Sequence, residues 1–371
     1  MAFRTNSINV NSKKRYTGSL TYSRSGIVYN ALLICILITL KYFTIKFLCE
    51  TEYGGKIKFE KTINVMHDSF TVFSAIYILL VFSIQQKRTI TLVNDFKIIG
   101  QSILALNDKN FSLLSAVKNI FLANTFTWFL LIITSVVGDW DLNLYNISIY
   151  LCNTIINSIF MQYSIILNLI KEMLYYINQY LSKLLNNANP VSGISFIHSK
   201  KMQYEINKLT YLRNLHTSIF KFSQDVSNFY SQLILLGILY VFVTSVLFGY
   251  YILIPIVHGR YPVSRADSIH CIFFLLLYAV SLKILMNTAT MTVKESKKLR
   301  DILNDSLDNI EDESVIKKVN NFSIYLLQKD MNFAVYNLFS LDESILLSII
   351  GSVMTYLVII LQFQTEESKS V

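Results

Sequence analysis

Residues Ser344 to Phe363 read SILLSIIGSVMTYLVIILQF, an apolar run without a charge after Glu343. A helix that crosses a bilayer needs roughly 20 predominantly apolar residues at about 1.5 Å rise each, so this run is long enough to span. Ser340 followed three residues later by Glu343 predicts a capping box at its start. At about 100° per residue, Ser344, Ser348, Ser352, Thr355, Ile359, Gln362 and Glu366 share one face. Polar groups are costly in hydrocarbon, so this stripe is expected to face protein or water. Two roles fit it. Small residues pack helix against helix; alternatively, several copies of the helix around an axis make a pore wall, closed near Gln362 and Phe363.

The rest of the chain has the same membrane character. Hydrophobic residues make up 53% of the 371 and charged residues 15%, with a mean hydropathy of +0.44, which excludes an ordinary soluble core. Seven apolar runs can be placed, at about Ile27–Leu48, Val65–Ile84, Ile120–Val137, Leu144–Ile166, Leu233–Val257, Ile269–Met286 and Ser344–Phe363. The first follows a polar basic segment without a small-residue cleavage pattern and reads as a signal anchor. The net charge of +9 lies mostly in the connections: of 33 Lys and Arg, 24 fall in the N-terminal tail and the even-numbered loops and 6 on the opposite side. The positive-inside rule therefore predicts a cytoplasmic N-terminus and an extracellular C-terminus. The basic charge is thereby assigned to orientation against membrane lipid, and no nucleic-acid partner is expected. Inner connections are long. Apolar stripes at Leu169–Leu185, Lys200–Ser223 and Leu299–Leu326 predict helices that continue beyond the bilayer.

Thr355 and Tyr356, five apolar residues, then Gln362 and Phe363 resemble the TYhhhhhQF signature of insect gustatory receptors. The inverted seven-span topology agrees with that family and departs from G-protein-coupled receptors, whose Asp-Arg-Tyr and Asn-Pro-x-x-Tyr patterns are absent from the expected helix ends. The resemblance implies an all-α polytopic subunit of a tetrameric, ligand-gated cation channel in the plasma membrane, homomeric or mixed with other gustatory receptors. The last helix would line the pore, with Thr355 and Tyr356 in the motif, Gln362 and Phe363 at the gate, and Ser348, Ser352, Ile359 and Glu366 along the wall. Cytoplasmic helices would join the subunits. On this reading residues 1–26 form a cytoplasmic tail, 27–290 a six-helix ligand-binding bundle, 291–340 anchor helices, 341–363 the pore helix and 364–371 an extracellular tail. Asp342, Glu343, Glu366 and Glu367 would then form acidic rings that concentrate cations. Receptors of the sweet-taste branch carry an acid after the signature Tyr, whereas Leu357 stands here. That departure favours a bitter plant metabolite as tastant, with a fructose-type sugar as the alternative; a seven-helix receptor signalling through a cytoplasmic partner is a further reading.

A ligand pocket needs an apolar lining with a few convergent polar groups. On the fourth run Asn146, Tyr150, Asn153, Asn157, Ser164 and Asn168 recur on one helical face, which suits either inter-helix hydrogen bonding or a pocket. Neighbouring runs add Thr127, Trp128 and Thr134, then Thr244, Phe248 and Tyr251, then His270, Phe274 and Tyr278, with Ser69, Thr71 and Ser74 on the second. Trp128, Tyr150, Asn153 and Tyr251 are the first candidates for stacking and hydrogen bonding a tastant. Chemistry finds no support: the five histidines lack metal-ligand spacing, and no phosphate loop or nucleophile elbow occurs, so no catalytic residue, cofactor or metal is expected. The four cysteines read mainly as free thiols, with Cys49 and Cys271 the one pair that could meet.

Overall fold

A computed structural model describes residues 21, 23–51, 58–106, 118, 120–122, 125–126, 128–129, 144–186, 195–258, 265–307 and 313–367. The chain is nearly all helical. Helices α1 (Arg24–Thr51), α2 (Lys58–Ile84) and α3 (Gln86–Leu104) are followed by α4 (Leu144–Asn186), α5 (Ser195–His258), α6 (Arg265–Leu307) and α7 (Glu313–Gln328). A two-residue hairpin, β1 (Ala334–Val335) with β2 (Phe339–Ser340), leads into α8 (Glu343–Glu367). Among the described residues six helices, α1, α2, α4, α5, α6 and α8, are long and apolar enough to cross a membrane. The third expected span, Ile120–Val137, falls mostly outside the described residues, although those described between 118 and 129 are helical.

Three helices outrun the bilayer. α5 runs through 64 residues and α4 and α6 through 43 each, lengths of about 96 and 65 Å at 1.5 Å per residue. The stripe at Lys200–Ser223 is thus the first half of α5, continuous with the fifth run. The connection after α2, read from sequence only as a charged loop, is the helix α3, which starts one residue beyond α2 at Gln86. Its polar positions hide a buried row at Ile90, Leu92, Ile99 and Ile103.

The main core lies where α4, α5 and α6 meet, continuing onto α2, α3, α7 and the hairpin. Helices in lipid gain little from leaving an apolar solvent, so close packing and hydrogen bonds must hold them. Tyr163 and Tyr230 stack at 4.9 Å between ring centroids, and Phe229 meets Phe82 at 5.6 Å. Farther along, Thr292 Oγ1 donates to the Leu167 carbonyl at 3.1 Å, and Asn178 Nδ2 donates to the Glu295 carbonyl and carboxylate at 2.9 and 2.8 Å. α7 buries Val315, Val319, Phe322 and Leu326 against the base. Its Ser323 hydroxyl donates to Asn304 Oδ1 at 2.8 Å.

The hairpin sets where α8 begins. Tyr336 and Asn337 adopt φ of 48° and 57°, the left-handed conformation that tight two-stranded turns demand. Phe333, Val335 and Leu341 are buried beneath the turn, and the Leu341 amide donates back to the Phe333 carbonyl at 2.8 Å. Among the thiols, Cys35 and Cys152 are free; the Cys49 side chain, and with it any pairing to Cys271, lies outside the described side chains.

Gly237 marks the tightest approach of α5 to α4. A Cβ at that position would stand 2.7 Å from Cζ of the fully buried Phe160. Gly237→Val is expected to cost about 1–3 kcal/mol through overpacking, read as a lower melting temperature of the purified protein, and Gly237→Val with Phe160→Leu to recover part of it.

Candidate ligand site and pore helix

The half of the bundle that holds the start of α4 and of α6 contains a continuous polar and aromatic cluster. At its centre Asn153 Oδ1 accepts hydrogen bonds from the Tyr240 hydroxyl at 2.6 Å and from the Tyr278 hydroxyl at 2.5 Å, joining α4, α5 and α6 through one atom. All three side chains are buried. Thr71 Oγ1 lies 3.3 Å from the Tyr240 oxygen and brings in α2. From α2 also comes His67, whose Nε2 shares a hydrogen bond with Thr244 Oγ1 at 3.1 Å and whose ring packs against Tyr240 and Phe248. On the other flank Tyr150 stacks on Phe274 at 5.8 Å, and its hydroxyl shares a hydrogen bond with His270 Nε2 at 3.0 Å. Phe248 touches Phe274 at 5.6 Å and closes the circuit.

Eight residues singled out from sequence are therefore brought to one place: Thr71, Tyr150, Asn153, Thr244, Phe248, His270, Phe274 and Tyr278. Asn157 is fully buried farther along α4, one turn below Asn153. Tyr251 packs against Tyr250 and Leu357 in a small cluster facing α8. Trp128 is half-buried against the main core. Thr127, Thr134 and the Asn146 side chain lie outside what is described.

Four participants escaped the sequence reading. His67 is one of five histidines scattered along the sequence, and Tyr240 one of its many aromatics. Lys41 and Asp68, both inside apolar spans, lie 3.8 Å apart, and Asp68 is also 3.8 Å from His67 Nδ1. Their signal was the charge itself, since an ionisable residue within a span demands a partner. Among the described residues no group of three His, Cys, Asp or Glu gathers to hold a metal.

α8 stands apart from this cluster. Ile345, Leu346, Ile349, Val353, Leu357 and Ile360 turn toward the bundle, and Leu357 is 4% exposed. Gly249 makes that contact possible, because a Cβ there would stand 2.8 Å from Leu357 Cδ1. An acid in place of Leu357 would bury its charge against Tyr250. Tyr356 meets Phe242 edge-on at 5.6 Å and so belongs to the seam with α5 rather than to the polar stripe. The stripe itself, Ser344, Ser348, Ser352, Thr355, Ile359 and Gln362, is exposed along its whole described length. The Ser348 and Thr355 hydroxyls donate to the carbonyls of Ser344 and Gly351 at 3.0 and 2.9 Å, which settles their own hydrogen bonding within the helix. The side chains of Phe363 and Glu366 lie outside what is described.

The start of α8 corrects the expected capping box. Ser340 belongs to β2, too early to cap a helix that begins at Glu343. Asp342 is the cap instead: its Oδ1 accepts from the Ser344 amide at 2.9 Å and from the Ser344 hydroxyl, and its Oδ2 from the Ser340 hydroxyl at 2.9 Å. The bonds from Ser344 and Ser340 hold this carboxyl below its usual range.

The chain is thus a multi-pass helical membrane protein with a hydrogen-bonded aromatic cluster inside the bundle and an exposed polar stripe on α8. The chain belongs to the family of 7tm chemosensory receptors, whose profile matches residues 8–367, a family of receptors and not of enzymes. Among relatives, putative gustatory receptor 28b of Drosophila melanogaster is 24% identical over 153 residues, 40% of this chain and 33% of the relative. Putative gustatory receptor 28a of the same fly is 25% identical over 166 residues, 44% of this chain and 36% of the relative. The chain thus spans about a third of the length of these two relatives. In fold it is similar to the insect olfactory receptor OR5 of Machilis hrabei, with a TM-score of 0.58 at 15% identity over 89% of this chain and 88% of that one. The structure of the same receptor in complex with eugenol gives a TM-score of 0.59 with the same identity and coverage.

Replacing Asp342 with Ala is expected to cost about 1 kcal/mol of local stability, seen as faster hydrogen exchange at the Ser344–Leu346 amides. Because the folded carboxyl titrates below its unfolded value, its contribution is complete above the ordinary carboxylate range and fades as pH falls through the lowered value. Asp342→Asn should keep part of the cap and abolish that acid-side loss.

Proposed function

We propose that this chain is a gustatory receptor subunit that opens a nonselective cation channel when a tastant binds. The observation that carries the reading is the position of the α8 stripe. A helix apolar enough to span turns Ser344, Ser348, Ser352, Thr355 and Gln362 away from its own bundle. Hydrocarbon is a poor environment for such a row, and several copies facing a common axis would turn it into a wetted wall. On this reading four subunits, identical or mixed, surround the pore, with the C-terminus extracellular in the plasma membrane of taste neurons. Gln362 and Phe363 form the gate, and Ser348, Ser352, Thr355, Ile359 and Glu366 line the approach to it.

The tastant occupies the outer half of the bundle at the cluster of Tyr150, His270, Phe274, Phe248 and Thr244. Relatives with gustatory receptor names and the fold of an olfactory receptor solved with eugenol support a small-molecule ligand. Leu357 after the signature Tyr favours a bitter plant metabolite over a sucrose-type sugar, with a fructose-type sugar as second choice. Binding shifts the gate only if the ligand prefers the open state, since equal affinity for both states shifts nothing. Asn153 serves here mainly as a clamp, because its carbonyl oxygen already takes two tyrosine hydroxyls. Leaving those hydroxyls unpaired costs about 1–3 kcal/mol each.

Expressing the chain alone in a cell without chemoreceptors and recording membrane current against plant alkaloids, glycosides and sugars tests this reading. An agonist-evoked cation current that Phe363→Ala or Gln362→Ala alters at equal surface density supports it. A current that persists unchanged in both variants removes the gate assignment. Loss of response in Tyr150→Ala, with surface expression intact, places the agonist at the aromatic cluster, and an unchanged dose response displaces it from there.

A further inference from the structure

Beside the aromatic cluster, toward α1, lies a recess of about 10 Å³, room for one water-sized group, edged by Lys41, Thr44, Asp68 and Ser148 and walled by Val72 and Ile149. Two of its polar atoms are deeply buried without a hydrogen-bond partner among the described residues: Thr44 Oγ1, on a residue 3% exposed, and Asp68 Oδ2, on a residue 5% exposed. Lys41 Nζ is 3.8 Å from that same Oδ2, beyond the roughly 2.7–3.2 Å of a direct N–H···O hydrogen bond. An oxygen about 2.8 Å from each would fit between them.

We propose that this recess is a subsite for a hydroxyl group of a neutral ligand. A hydroxyl both donates and accepts, so one such oxygen answers the Asp68 carboxylate and the Lys41 ammonium together, beside the Thr44 hydroxyl. The recess already balances one cation against one anion. A charged ligand group would displace one of them and leave a buried charge unpaired, at heavy cost. The remaining facing group, His67, has its Nε2 engaged with Thr244 and its Nδ1 beside Asp68 Oδ1. The volume admits a single hydroxyl, with the carbon skeleton that carries it left at the rim beside Val72 and Ile149. The recess also has a physical link to the aromatic cluster. Thr71 donates to the His67 carbonyl at 2.9 Å and lies 3.3 Å from the Tyr240 oxygen, so its position couples α2 to the Asn153 clamp. The assignment deepens the ligand-gated reading and rests on it for any effect on current, but binding can be tested without it.

The purified full-length chain is melted with trans-1,2-cyclohexanediol and, separately, with its dimethyl ether, which keeps the ring but has no hydroxyl to donate. A rise in Tm with the diol and none with the ether is expected. The pair Lys41→Met with Asp68→Leu removes both charges at similar bulk, which buried ion pairs tolerate well, and should lower the apparent affinity for the diol by about tenfold or more. Thr44→Val, nearly isosteric, should lower it by a smaller factor. Equal shifts with diol and ether, no shift with the diol, or an unchanged diol affinity in the charge-free pair each overturn the subsite. If that pair does not fold, undiminished affinity in Thr44→Val overturns it instead. A diol shift that depends on these residues in a chain that carries no agonist current would sustain the subsite and remove the channel reading.

Discussion

The constraint on which the structure depends is that lipid rewards neither apolar contact nor solitary polar groups, so helices must be joined by shape and by fully partnered polar atoms. α4 meets it for most of the molecule. Its buried face carries Asn153 at one end and Asn178 at the other, the first joined to α5 and α6 and the second to α6 alone. Between them Tyr163 supplies a flat stacked contact with α5. Polar clamps at both ends with aromatic packing in between fix the register of three long helices, and the cluster of Tyr150, Phe248, His270 and Phe274 is placed relative to that frame.

Periodicity made much of this legible. The repeat of Asn and Ser along the fourth run marked a face unsuited to lipid, and in the structure Asn153, Asn157, Ser164 and Asn168 are all buried. The stripes past the bilayer likewise foretold long helices, the second of them leading into the fifth span as one α5. What stayed hidden has definite physical causes. α3 carries its apolar positions among so many polar ones that only packing against α5 reveals its inner face. Lys41 and Asp68 are 27 residues apart, and nothing local ties a charge on one helix to its counterpart on the next. The α8 cap was misplaced by two residues because Ser340 and Asp342 are both good capping residues, and only the hairpin pairing decides which one precedes the first turn.

The candidate site shows the same limit more sharply. Residue type indicated that Asn153, Tyr150 and His270 belong inside the bundle, yet it could not divide them between holding helices and meeting a ligand. Hydrogen-bond saturation does divide them. An oxygen that already accepts two hydroxyls has little capacity left, whereas the ring faces of Phe274 and Phe248 keep their capacity for apolar contact whatever else they touch.

α8 is fastened very differently at its two ends. At its base the hairpin folds Phe333, Val335 and Leu341 into the core, the Ser227 and Ser231 hydroxyls of α5 lie 3.5 Å from the Ala334 carbonyl, and Asp342 locks the first turn. Toward its far end the attachment narrows to a seam in which Leu357 seats against Gly249 and Tyr356 rests edgewise on Phe242. In mechanical terms this is a cantilever: bending stress is greatest at the clamped base, while displacement grows along the 25-residue beam, so a given change of tilt at the base moves Gln362 farther than Ser344.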